Sequence, residues 1–110
     1  MIHPMKLLLR GGAVAALLAL ASCFHSSVKD PAADRVRADL DHLQADPQLA
    51  SRAPVALKEA QEAVDAAEVP QKDPELSAHL VYIADRKVQT ARALAEAHVA
   101  EDQLKALQGQ

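Results

Sequence analysis

The stretch PELSAHLVYIADRKVQTARALAEAHVAEDQLKAL, residues 74–107, decides the fold. From Glu75 to Leu107 it holds neither proline nor glycine, and it is rich in Ala, Leu, Glu, Gln, Arg and Lys, the residues that lose least on entering a helix. One uninterrupted helix of this length runs about 50 Å at 1.5 Å per residue. Asp73-Pro74-Glu75 reads as its start, because an aspartate accepts from free helical N–H groups and proline is tolerated in a first turn. Gly109 suits its end.

Working back from there, Val69-Pro70-Gln71-Lys72-Asp73-Pro74 ends a second apolar-striped segment. In that segment Leu49, Ala53, Ala56, Ala60, Ala63 and Ala67 alternate steps of four and three, a coiled-coil-like seam of mostly small side chains. Leu57 and Val64 widen it. Asp30-Pro31 is another helix start, and Val36, Leu40 and Leu43 follow at i, i+4 and i+7, which puts them on one face. Asp46-Pro47 and Pro54 interrupt the run, since each ring removes an N–H and clashes with the turn before it. If those prolines only kink it, Ala32 to Glu68 matches the last helix in length. The expectation is an all-α antiparallel helical hairpin, coiled-coil-like, with its first arm broken into two or three pieces.

The core of such a body is thin. Apolar residues make up 50% of the 110, but much of that half is alanine, and Phe24 and Tyr82 are the only aromatics. Short side chains contribute little transfer free energy each, so partners are expected to complete the packing. Net charge is −3, and loss of Lys6 and Arg10 with residues 1–22 takes it from −3 to −5. Nucleic acid is excluded as a partner, because phosphate binding needs a basic face.

Cys23 is the single cysteine, so no intrachain disulfide forms and its presence needs another reason. Lys6 and Arg10, without an acid, precede the apolar run Gly11 to Leu20, the layout of a secretory signal. The run is far shorter than the roughly 20 residues that span a bilayer. Met5 is an alternative start that keeps the basic leader.

Leu20-Ala21-Ser22-Cys23 resembles a bacterial lipobox at all four positions. The resemblance implies that residues 1–22 are a cleaved signal peptide and that the Cys23 thiol takes a diacylglycerol through a thioether. The chain is then cut before Cys23 and the new amine acylated. These covalent acyl chains are the only non-protein group expected, and they anchor the protein to the membrane. Phe24 stands where many inner-membrane lipoproteins carry Asp, which favours the outer membrane, facing the periplasm. Residues 23–30 then read as the lipidated N-terminus and a polar tether, too poor in apolar residues to pack. Residues 31–110 read as the helical domain.

Ala60-Gln61-Glu62-Ala63-Val64, then Ala78-His79-Leu80-Val81-Tyr82-Ile83-Ala84-Asp85-Arg86 and the Ala91 to Ala97 stretch resemble the alanine-rich domain of bacterial lipoproteins known as domain-of-unknown-function family 4398. The resemblance runs from about Leu49 to Leu107. Relatives often carry an OmpA-like, peptidoglycan-binding domain behind it. The chain shows no such domain, so cell-wall attachment is not carried over. The family lends a location and a fold, not an activity.

His79, Tyr82 and Arg86 share a helix face at i, i+3 and i+7, with Asp85 beside them. As a partner-binding cluster, Tyr82 packs while Arg86 and His79 donate to a carboxylate or carbonyl. As a structural one, Tyr82 packs on the first arm, and Asp85 and Arg86 form solvated pairs worth little. His98 with Asp102, and Glu75 with His79, are four apart and can pair along a helix. No three or four ligands converge as zinc requires. No phosphate loop or nucleophile elbow is present, and a narrow hairpin offers little concavity for a substrate. The expectation is a non-catalytic, lipid-anchored structural or interaction protein of the cell envelope that pairs with helical envelope proteins or with itself. A small-ligand or stress-related binding module using the His79–Arg86 face is the alternative.

Overall fold

A computed structural model describes residues 26–109. It holds three helices, α1 (Pro31–Ala45), α2 (Pro54–Glu68) and α3 (Pro74–Gln108). The fold is all-α, and its centre is the antiparallel hairpin of α2 and α3, with the first arm broken by prolines.

The break does more than kink the arm. Arg37 of α1 meets Asp65 and Glu68 near the end of α2, and Gln44 meets Gln61, so α1 runs antiparallel to α2. Residues 46–53 reverse the chain and lay α1 back against the hairpin. Pro47 cannot continue a helix, and Asp46 accepts from the Gln48 N–H at 2.9 Å, which closes a turn there. α1 therefore packs beside α2 instead of lengthening it, and α3 runs on past the apolar packing, with Ala100 to Gly109 exposed.

The Asp-Pro pairs act as the sequence implies. Asp30 accepts from the Ala32 N–H, and Asp73 from those of Glu75 and Leu76, caps of this type contributing about 1 kcal/mol each. Ala53 precedes α2 and offers no side-chain cap.

The core is a triangular seam. α1 contributes Ala33, Val36, Leu40 and Leu43; α2 contributes Leu57, Ala60, Val64 and Ala67. α3 contributes Ser77, Val81, Ala84, Val88, Ala91 and Ala95. All three sets step by three and four, as helix-on-helix packing demands. In α2 the seam is centred on Leu57 and Val64, and Ala56 and Ala63 are only partly buried. The extra helix α1 causes this shift, because α2 then faces two neighbours and its bulkier residues point between them. The tether also differs from expectation. Val28 forms a two-way backbone pair with Gln71, 3.2 and 3.3 Å, and Lys29 pairs with Asp34 and, at 3.9 Å, with Glu68. Backbone hydrogen bonds and charge, not apolar burial, dock residues 28–30 on the α2–α3 connection.

Candidate functional site

Cys23 and the Leu20, Ala21 and Ser22 before it lie outside the described residues. The partner-binding candidates lie on α3, where the helical period sets Tyr82 and Arg86 one turn apart. The Arg86 guanidinium lies over the Tyr82 ring, 5.8 Å from its centroid, a cation–π contact. Asp85 pairs with Arg86 at 3.0 Å, and the Thr90 hydroxyl donates to the Arg86 carbonyl at 2.8 Å. His79 is exposed on the same helix. Tyr82 does not pack on the first arm: it is 62% exposed, because α1 covers the opposite side of the hairpin.

Tyr82 and Arg86 instead border an open groove of about 260 Å³ between α2 and α3, shared with Ala56, Glu59, Ile83 and Lys87. Lys87 crosses it to Glu59 at 3.0 Å. A second open groove, of about 400 Å³, lies where the docked tether meets the start of α3, among Val28, Pro31, Gln71, Pro74 and Ser77. The first hollow is framed by α2 and α3 alone, and the docked tether and the start of α1 frame the second against α3. Ile83, Lys87 and Glu59 were not legible as site residues, because their meeting depends on the register between α2 and α3.

Two other polar clusters hold the helices together. His98 Nδ1 donates to the Arg52 carbonyl, and the Arg52 guanidinium pairs with Asp102. The i, i+4 pair expected of His98 and Asp102 is therefore replaced by a joint grip on the 46–53 turn. Arg37 joins Asp65, at 2.5 Å, and Glu68. Hydrogen bonding from Arg37, then from Gln61, holds the Asp65 carboxyl below its ordinary 3.8. Burial pulls the Arg37 guanidinium down, but Asp65 and Glu68 more than offset it and leave it raised.

A carboxyl lowered in the folded state contributes stability above its unfolded value and loses it as pH falls through the folded one. Stability of the wild type is expected to drop as pH falls below about 4. In Arg37→Gln, where Asp65 returns towards its ordinary value, that part of the drop is expected to vanish. Urea titrations at pH 7 and pH 3, followed by circular dichroism, check it: equal pH dependence in the two proteins contradicts the pairing.

Among the described residues no group of three or more His, Cys, Asp and Glu could hold a metal ion, and no helix is long and apolar enough to cross a membrane. No curated protein and no solved structure matches the chain. A family model, described as "Domain of unknown function (DUF4398)", matches residues 31–107. The match begins at Pro31, not Leu49, and so takes in α1, consistent with α1 being part of the core. The three-helix body and this match together place the chain in the DUF4398 family.

Proposed function

We propose that this protein is a lipid-anchored interaction protein of the bacterial cell envelope. Its helical body projects into the periplasm, from the outer membrane in preference to the inner, and pairs with helical envelope proteins or with itself. The complete Leu20-Ala21-Ser22-Cys23 motif behind a basic, apolar leader carries this reading. Thioether-linked diacylglycerol and an N-acyl chain at Cys23 give the two or more chains that stable anchoring requires. No catalytic role is assigned to any residue, and the membrane is reached through the lipid alone.

The exposed α3 face supports the interaction half. Tyr and Arg dominate interface energetics, and here Tyr82 and Arg86 stand stacked in solvent beside an apolar-floored groove. The triple variant His79→Ala, Tyr82→Ala, Arg86→Ala is expected to leave unfolding free energy within about 0.5 kcal/mol, as for surface substitutions in general, while reducing recovery of crosslinked partners from intact envelopes. Unchanged partner recovery removes this face from the reading. The same variant tests the small-ligand alternative, favoured by the hollow beside Tyr82: that reading requires a soluble metabolite to protect the wild type, and not the variant, against thermal unfolding.

A further inference from the structure

A second stripe runs along α3 beside the buried one. Leu76, Leu80, Ile83, Leu94, Ala97 and Leu104 fall at heptad-compatible spacings, with Lys87 and Glu101 as its charged positions. Leu80 packs in part on the core, but Leu76, Ile83, Leu94 and Leu104 are 36–56% exposed. No α1 residue lines the groove below it. Beyond Val99 the described part of the helix touches the rest of the chain through the Asp102–Arg52 pair, and Leu104 and Leu107 stand in solvent, although a helical segment of this length without apolar packing is marginal in water.

We propose that this stripe pairs antiparallel with the same stripe of a second copy. The proposal rests on the interaction reading above and names its partner. Charge selects both occupant and direction. A parallel pair sets Lys87 against Lys87 and Glu101 against Glu101, like charges along one seam. Lys87 and Glu101 lie equally far on either side of Leu94, so an antiparallel pair centred near Leu94 brings each Lys87 beside Glu101 of the second copy.

The wider helix agrees. Residues 79–92 carry Arg86, Lys87 and Arg92 against Asp85, and residues 93–108 carry Glu96, Glu101 and Asp102 against Lys105, a basic half followed by an acidic one. The contact is isologous, and it lays each solvated α3 end along the α2–α3 groove of the other copy, where Ala56 allows close approach. The starts of the two α3 helices then lie about 60 Å apart, so both anchors reach one bilayer with the dimer lying along it.

The test uses the full chain in native membranes, with Leu94→Cys and a bis-maleimide crosslinker. A product of twice the chain mass is expected, and none from Lys58→Cys on the outer face of α2. In a Glu59→Gln background, which removes the partner Lys87 has within its own chain, Lys87→Glu or Glu101→Lys is expected to cut crosslinking roughly tenfold, equivalent to about 1.4 kcal/mol. The combined charge swap is expected to restore it. No double-mass product, or a swap that fails to restore it, overturns the antiparallel pair. The parent chain serves as reference: if it reacts with the maleimide, Cys23 is free and the anchor reading fails; if it is inert while Leu94→Cys stays monomeric, only the dimer fails.

Discussion

Truncating Leu40 to alanine is expected to lower the unfolding free energy by about 2–5 kcal/mol, the range for deleting a buried leucine side chain. Leu40 and Leu43 are the largest fully buried side chains among the described residues, and both belong to α1. The neighbouring helices present Ala60, Ala67, Ala84 and Ala91, which are too short to collapse into the space a leucine vacates. The loss is then close to the full transfer and cavity cost. A domain of this size is stabilised by about 0.05–0.15 kcal/mol per residue, so the change consumes a large share of what it has. Urea unfolding followed by far-ultraviolet circular dichroism measures it. Val55→Ala, at a position 72% exposed near the start of α2, serves as the comparison and is expected to change stability by less than about 0.5 kcal/mol. A cost below about 1 kcal/mol for Leu40→Ala contradicts the burial of α1.

Replacing Cys23 with serine is expected to reduce incorporation of an alkyne-tagged fatty acid to background. A hydroxyl does not form the thioether, and in the lipobox reading the cut before position 23 follows alkylation, so the variant is also expected to keep its leader. Each buried acyl CH₂ is worth about 0.8 kcal/mol, and no helix among the described residues can cross the bilayer. In the lipobox reading it is the lipid that attaches the body to the membrane. Labelling undiminished in the variant moves the acylation elsewhere and removes the anchor from Cys23.

Helix content was legible because it depends on local chemistry. The proline-free run from Glu75 and the aspartates ahead of Pro31 and Pro74 act within a few residues of themselves, and the observed caps follow them. The path between helices was not legible. Whether Pro47 and Pro54 kink the arm or reverse it depends on the pairing of Arg37 with Asp65 and Glu68, partners about thirty residues away. The same reversal turned Leu57 and Val64 inward and left Tyr82 in solvent. At the candidate face, the helical spacing alone set Tyr82 beside Arg86. Glu59 and Ala56 joined them through the α2–α3 register, which alanine spacing constrains loosely since one small side chain packs much like the next. The exposed stripe from Leu76 to Leu104 was written in the sequence at heptad spacing, but only the position of α1 shows which of the two stripes on α3 is covered.

The most direct measurement is the intact mass of the native protein extracted from bacterial membranes with detergent. The account predicts a chain that begins at Cys23 and carries a diacylglycerol and an N-linked acyl group on that residue. An unmodified thiol at Cys23, or a mature start at any other residue, contradicts it.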